Sequence, residues 1–249
     1  MKLKLITCDV LTRLVCHCVA RTPHVVDMEF TRKGDHNQPD KLRASIQQKI
    51  GECENSVAQY DAILLGYGLC GNSVVNLIAR SIPLIIPRAH DCCTIFLGSK
   101  EKYVKYFGEN PSTGFTAVGY IERGDSYVRE ASDDKNVAEM DKIYQEYVEK
   151  YGEDNAKYIW ETLHPKEKPW EKDNRVMYIK IPEFQHLCYA EQCRRRAESD
   201  GKDFVELDGS IELMEKLIFG QWAEEDFLIV KPDQHITAIY DMTEIIRAR

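Results

Sequence analysis

Three cysteines follow apolar segments of the sequence and could converge on one point. Cys8 ends the first such segment, Cys70 follows Ala62–Leu65, and Cys92 follows Leu84–Ile86. Short apolar runs bounded by glycine or proline are typical of buried parallel strands. The carboxyl ends of neighbouring parallel strands lie at one edge of a sheet, about 4.8 Å apart. The sequence therefore predicts that these three thiols lie close together at one edge.

Three thiolates favour zinc or an iron–sulfur cluster and leave one coordination position open for His90, Asp91, water or substrate. We predict zinc, with an iron–sulfur cluster that has one open iron as the alternative. A third interpretation is three buried thiols without a metal. A CxxC pair is absent, which disfavours a structural zinc site, and the GxxxxGK[ST] motif is absent, so no nucleotide is predicted.

The same turns carry groups that could act on a substrate. His90 and His36 are candidate proton-transfer residues, and Arg88 is a candidate for holding an anionic substrate. A loop histidine such as His36 is also typical of a solvent-exposed hydrogen-bonding residue.

A second set of residues could line a cofactor or substrate pocket. Gly68 allows the backbone to approach a bound group closely, and Tyr67 and Glu122 could line the pocket. Cys93 is secondary. Cys16 and Cys18 lie one residue apart from His17 on a predicted helix, where adjacent side chains do not face each other, so they are interpreted as ordinary helix residues.

Composition limits the possible classes of protein. The chain has 249 residues, a formal net charge of −8 and nine cysteines. A negative net charge argues against a broad nucleic-acid interface. An odd, high cysteine count favours metal binding or reactive thiols over a complete disulfide framework. No apolar run is long enough to span a membrane and no cleavable apolar segment opens the sequence, so a cytoplasmic protein is predicted.

The alternation of strand and helix patterns predicts an α/β protein with a mainly parallel, doubly wound, Rossmann-like sheet built from two βαβ-type halves. The predicted units are residues 1–130 with the cysteine turns, a helical and loop connector over 131–174, and a C-terminal half over 175–249. Within the first unit, the patterns predict helices over about 72–80 and 91–107 and a strand over 116–121.

With these residues in view, the chain resembles the family catalogued as domain of unknown function 1638, found mainly in anaerobic bacteria and methanogenic archaea. The resemblance rests on ITCDVL from Ile6, LLGYGLCGN from Leu64 and IPRAHDCCTIFLGSKEKY from Ile86. It continues more weakly through GYIERG from Gly119 and FGQWAEEDFLIV from Phe219. The family pattern extends to Cys8, Cys70 and Cys92. Cys93 stands where the resemblance implies an aliphatic residue, so it is a secondary candidate.

The resemblance implies a role beside corrinoid-dependent methyltransferases in one-carbon metabolism. Two hypotheses follow. The first is a metal-dependent enzyme, such as a transferase or lyase, that acts on a small molecule. The second is a non-catalytic accessory protein that holds a metal or cofactor for a corrinoid protein or methyltransferase partner.

Overall fold

A computed structural model describes residues 1–54, 56–111, 113–124, 135–163, 174–239, 241 and 243–249. The predicted connector over 131–174 lies partly outside these residues and stays a prediction. The described part is an α/β protein.

Strands of three to seven residues and helices make up the described part of the chain. The strands are β1 (Lys2–Cys8), β2 (Val25–Thr31), β3 (Ala62–Gly66), β4 (Leu84–Pro87), β5 (Gly114–Ala117), β6 (Arg175–Lys180), β7 (Asp203–Asp208), β8 (Phe227–Val230), β9 (Ile236–Ala238) and β10 (Ile246–Ala248). The helices are α1 (Thr12–Val19), α2 (Pro39–Glu54), α3 (Cys92–Leu97), α4 (Lys100–Phe107), α5 (Val118–Ile121), α6 (Lys135–Tyr151), α7 (Glu153–Leu163), α8 (Tyr189–Ser199) and α9 (Glu212–Ile218).

The largest sheet has the strand order β2-β1-β3-β4-β8. The first four strands are parallel, and β8 pairs with β4 in the antiparallel direction. Every residue of β3 and β4 is buried, which explains why both strands are continuous apolar runs rather than alternating patterns. The sheet is therefore mixed but mostly parallel.

A second sheet has the parallel order β5-β6-β7, and β9 pairs with β10 in an antiparallel ribbon. The sheets do not follow the predicted boundaries of the chain. Strand β5 comes from residues 1–130 but joins the second sheet, whereas β8 comes from residues 175–249 and joins the first. The predicted division into units stays a prediction.

The helix predicted over about 72–80 is wrong. This segment forms turns, and Asn72 and Asn76 have φ values of 68° and 65°. Besides turn hydrogen bonds within the segment, its backbone bonds to β9: the Asn76 amide donates to the Ile236 carbonyl, and the Ile236 amide donates to the Leu77 carbonyl. A distant part of the chain thus satisfies the groups that a helix would have paired internally.

Two further boundaries differ from the prediction. The helix expected over 91–107 is divided into α3 and α4 at Gly98, whose φ of 80° ends α3, and Ser99 then caps α4 by accepting from the Lys102 amide. The strand expected over 116–121 is β5, which is followed directly by the short helix α5. Helix termination by a left-handed glycine is the physical reason for the first difference.

The main hydrophobic core packs against the first sheet and extends to the second. It joins residues of β1, β3 and β4 with α9 and with Phe115 of β5 and Ile179 of β6. A smaller cluster around Tyr144 and Trp160 holds α6 against α7. None of the helices in the described residues is long and apolar enough to pass through a membrane.

Candidate functional site

The three strands that precede Cys8, Cys70 and Cys92 are neighbours in the first sheet. Strand β1 pairs in parallel with β3, and β3 pairs in parallel with β4. Cys8 is the last residue of β1, Cys70 lies in the turn after β3, and Cys92 begins α3 after β4. The predicted convergence on one edge of the sheet therefore has the topology that it needs.

Backbone hydrogen bonds hold the two later turns together. The Leu69 amide donates to the Ala89 carbonyl at 2.8 Å, and the Cys70 amide donates to the His90 carbonyl at 2.9 Å. A Cβ atom on Gly68 would lie 2.5 Å from the Asp91 amide nitrogen. Only glycine allows the turns to approach this closely, so Gly68 lets the turn that carries Cys70 lie beside the turn that leads to Cys92. The predicted approach of its backbone to a bound group stays a prediction.

The thiols of Cys70 and Cys92 form a hydrogen-bonded pair. The Cys70 thiol donates to the Cys92 sulfur, and this bond, together with burial, raises the pKa of Cys70 well above its ordinary value. Cys8 is also buried, and its pKa is raised by burial and by the nearby charge of Cys92. The pKa of Cys8 responds to Cys92, and that of Cys70 responds to both Cys92 and Cys8, so we treat the three thiols as one cluster.

Cys92 is the member of this cluster that favours the thiolate. Its pKa is lowered by the hydrogen bond from Cys70, and also by those from the Tyr120 hydroxyl and the backbone amides of Cys92 and Cys93. Four donors stabilise the negative charge on a sulfur that burial alone would keep protonated. Asp91 caps α3 by accepting from the Thr94 amide at 3.3 Å and so fixes the start of that helix.

Tyr120 is a site residue that the sequence analysis did not identify. It lies in α5, and its hydroxyl is hydrogen-bonded to the Cys92 sulfur. The ring is held by Phe115, edge-on at 5.5 Å, and by Phe96 at 5.8 Å. Tyr120 belongs to the GYIERG block of the family resemblance, which is the sequence feature that could have identified it. Nothing in the local sequence links that block to Cys92.

Close packing of Gly119 brings Tyr120 to this position. A Cβ atom on Gly119 would lie 1.6 Å from the Val10 carbonyl oxygen, so the backbone of α5 rests directly on the 3₁₀ turn Asp9–Leu11. That turn follows Cys8. The contact therefore joins the second sheet to the edge of the first sheet that carries the thiols.

We expect Tyr120→Phe to raise the pKa of Cys92, because it removes one of the donors to the thiolate. A hydrogen bond to a charged group contributes about 1.5–3 kcal/mol, which corresponds to about 1–2 pKa units. The measurement is the rate of Cys92 alkylation as a function of pH, followed by mass spectrometry.

Tyr178→Phe is the matched control, because Tyr178 is an equally buried tyrosine of β6 whose pKa is affected by Cys193 and not by the thiol cluster. An unchanged Cys92 profile in Tyr120→Phe would show that the tyrosine does not stabilise the thiolate.

Tyr67 and Glu122, the other predicted pocket residues, occupy different places. Tyr67 is buried beside the cluster, shares a 2.8 Å hydrogen bond with the Thr31 hydroxyl, and has a pKa raised by burial and by Cys8 and Cys70. Glu122 accepts from Arg13 and from the Tyr189 hydroxyl and contacts a cleft outside the cluster. Tyr67 is thus near the thiols, and Glu122 is not in their hydrogen-bond network.

The predicted proton-transfer and anion-binding residues, His90, His36 and Arg88, lie in different local surroundings. The His90 ring stacks on Tyr103 with centroids 4.9 Å apart. Arg88 donates to the backbone carbonyls of Glu224, Glu244 and Ile246, which ties β4 to the C-terminal segment. The backbone of His36 lies in a 3₁₀ helix, and its side chain is outside the described part. Their predicted roles remain predictions.

Cys93 and the two cysteines of α1 are not members of the hydrogen-bonded Cys70–Cys92 pair. Cys93 is fully buried, and burial raises its pKa well above the ordinary value. On α1, Cys16 is exposed whereas Cys18 is buried, with its pKa raised to about 12 by burial. The opposite exposure of Cys16 and Cys18 agrees with their interpretation as ordinary helix residues.

Among the residues that the structure describes, no group of three or more His, Cys, Asp or Glu side chains is arranged to hold a metal ion. Within the thiol cluster, the hydrogen bond joins Cys70 and Cys92.

A known protein family matches the larger part of this chain. The family described as protein of unknown function (DUF1638) matches residues 30–218, more than half of the chain. This range includes Cys70, Cys92 and Tyr120, whereas Cys8 precedes it. No curated protein and no solved structure matches the chain.

Proposed function

We propose that this chain, which belongs to the DUF1638 family, binds a soft metal centre through Cys8, Cys70 and Cys92. The centre is zinc, or alternatively an iron–sulfur cluster with one open iron. The observation that supports this proposal is the hydrogen-bonded contact between Cys70 and Cys92, with Cys8 close enough to be affected by the charge on Cys92. We also propose that the strands form a doubly wound, Rossmann-like arrangement.

The hydrogen-bonded pair has the chemistry of two ligands to one ion. Two sulfurs that each lie about 2.3 Å from a tetrahedral metal are about 3.8 Å apart, which is within the range of a hydrogen bond between sulfur atoms. A metal would replace the shared proton of Cys70 and Cys92. Tyr120 would then remain a donor to the bound sulfur, as groups around metal ligands commonly are.

Three thiolates would leave one coordination position for a small-molecule substrate. In the proposed enzyme, a transferase or lyase, His90 or His36 would move protons and Arg88 would hold an anionic group. The carbonyl partners of Arg88 give that residue a competing structural role. The link to corrinoid-dependent methyl transfer, and the alternative of an accessory protein, rest on the family resemblance.

Anaerobic purification followed by metal analysis, visible spectroscopy and Co²⁺ titration tests the proposal. We expect one equivalent of metal centre per chain, and a thiolate-to-cobalt charge-transfer band for the cobalt form. Bound zinc without visible absorbance supports a zinc site. Broad visible absorbance together with iron and sulfide supports an iron–sulfur cluster. A chain that binds neither metal, nor Co²⁺ at micromolar concentration, would contradict the proposal.

Metal affinity should increase with pH. The pKa values of Cys8 and Cys70 are raised, so both thiols carry protons near neutral pH and must release them to become ligands. Each proton released lowers the Kd about tenfold per pH unit, so two give about a hundredfold. Co²⁺ titration between about pH 6 and pH 8 measures this slope, and a Kd independent of pH would exclude these thiols as ligands.

The enzyme and accessory hypotheses give different results in one assay. An enzyme alters its substrate when it is the sole protein present. An accessory protein changes the metal content or the activity of a methyltransferase only when that partner is added. The same metal-loaded protein serves for both measurements.

A further inference from the structure

A cleft of about 530 Å³ lies outside the thiol cluster. It is lined by four residues of α1 on one side, Thr12, Arg13, Cys16 and His17, and by Glu122 and Phe184 on the other. A volume of this size is typical of pockets for small organic molecules. Its lining combines one arginine, one carboxylate and two rings, which is the mixture of polar and apolar groups that such ligands require.

Arg13 is oriented by a fixed carboxylate. Its Nε donates to Glu122 Oε1, which also accepts from the Tyr189 hydroxyl at 3.2 Å. The Glu122 side chain is only 14% exposed, whereas that of Arg13 is 40% exposed. Within the described part of the chain, the terminal nitrogens of Arg13 have no hydrogen-bond partner. The end of the guanidinium group is therefore held in place with two donors available.

The charge and the rings of the cleft limit what it can bind. The Arg13–Glu122 pair has no net charge, because the Glu122 carboxylate balances the Arg13 guanidinium. A ligand with one negative charge is therefore accommodated more easily than a ligand with two. The terminal nitrogens of a guanidinium match the two oxygens of a carboxylate. Phe184 contacts His17 edge-on at 5.8 Å and supplies an apolar wall.

We propose that this cleft binds a small organic carboxylate, with Arg13 holding the carboxylate end-on and Phe184 contacting the apolar part of the ligand. Glu122 and Tyr189 are positioning residues that fix the guanidinium. The cysteines of the thiol cluster do not line the cleft. This proposal consequently does not depend on metal binding, and either can fail without the other.

Calorimetric titration of the full chain with benzoate at pH 8 tests the proposal. We expect saturable binding that weakens at least about tenfold in Arg13→Gln, because a charge-assisted hydrogen-bond pair is lost. Arg194→Gln is the control, since Arg194 is a similarly exposed arginine of α8 that is paired with Glu206. Equal Kd values for Arg13→Gln and Arg194→Gln would overturn the assignment.

Arg13→Lys keeps the positive charge but lacks the planar guanidinium that contacts both oxygens of a carboxylate. It is the second test variant if Arg13→Gln does not fold. We expect it to bind benzoate several-fold more weakly than the unmodified chain, and unchanged affinity would overturn the proposed end-on contact. Phenyl phosphate, a dianion at this pH, should bind at least several-fold more weakly than benzoate. Equal or tighter binding of phenyl phosphate would overturn the choice of a carboxylate.

Alkylation of two exposed cysteines locates the bound probe. Cys16 lines the cleft and Cys188 does not, and both thiols are exposed. Saturating benzoate should slow the alkylation of Cys16 several-fold and leave the rate at Cys188 unchanged. Binding that protects neither cysteine, or both equally, would place benzoate elsewhere and overturn the proposal.

Discussion

We expect Cys70→Ser to weaken Co²⁺ binding at least about a hundredfold while the chain remains folded. Serine nearly preserves the volume of cysteine, but its hydroxyl is a poor ligand for a soft metal. Changes to groups that only contact a metal ligand cost about 10–100-fold in affinity, so loss of a ligand itself should cost at least the upper value. Co²⁺ titration with the thiolate charge-transfer band as the signal measures the loss.

The stability of Cys70→Ser should change little in the absence of metal. The serine hydroxyl can donate to Cys92 as the Cys70 thiol does, so the penalty stays below the roughly 1–3 kcal/mol of an unpartnered buried hydroxyl. Urea unfolding of the metal-free protein measures it.

Cys193→Ser is the control for metal binding, because Cys193 is buried in a separate cluster with Val176 and Tyr178. It should bind Co²⁺ like the unmodified chain. If Cys8→Ser, Cys70→Ser and Cys92→Ser all kept full Co²⁺ affinity, the three thiols would be packing residues and the proposed metal centre would be wrong.

Gly119→Ala should destabilise the protein by about 3 kcal/mol or more. The new Cβ atom would meet the Val10 carbonyl oxygen at 1.6 Å, and a backbone atom cannot rotate away as a side chain can. Overpacking in a core costs about 1–3 kcal/mol, and a clash between two backbones lies at the upper end or beyond. For a chain of this size, 3 kcal/mol corresponds to a Tm decrease of about 6–12 °C.

The same substitution should also withdraw Tyr120 from Cys92, because α5 has to move away from Val10. Alkylation of Cys92 at a temperature where the variant is folded should then shift to higher pH, as in Tyr120→Phe. Gly51→Ala is the control: a Cβ atom there meets nothing within 4 Å, and alanine is favoured over glycine within α2. A Gly119→Ala variant as stable as Gly51→Ala would contradict the close contact.

The strands that carry the cysteines could be predicted from sequence because their signal is local. Strands β1, β3 and β4 are short apolar runs that end at or just before a cysteine-bearing turn, and parallel pairing then places those turns at one edge. The predicted convergence of Cys8, Cys70 and Cys92 follows from this pattern alone, as does the α/β class.

Residue type also determined the bends around the cluster. Gly68 permits the close approach of two turns, and Gly98 ends α3 with a φ that other residues adopt at a cost. The sequence indicated a tight turn at the first position. It did not reveal the second, because a lone glycine in an apolar periodic stretch is compatible with one continuous helix.

Tertiary structure decided the contacts between residues far apart in the chain. Tyr120 reaches Cys92 only because β5 belongs to the second sheet and Gly119 rests on Val10. Asn76 leaves the predicted helix because Ile236 accepts its amide hydrogen.

The physical reason is the same for Tyr120 and for Asn76. A hydrogen bond or a close packing contact depends on where two distant segments meet, whereas hydrophobic periodicity reports only which face of one segment is buried. The sequence by itself determined that the cysteines lie on one edge, and the tertiary structure decided which groups surround them.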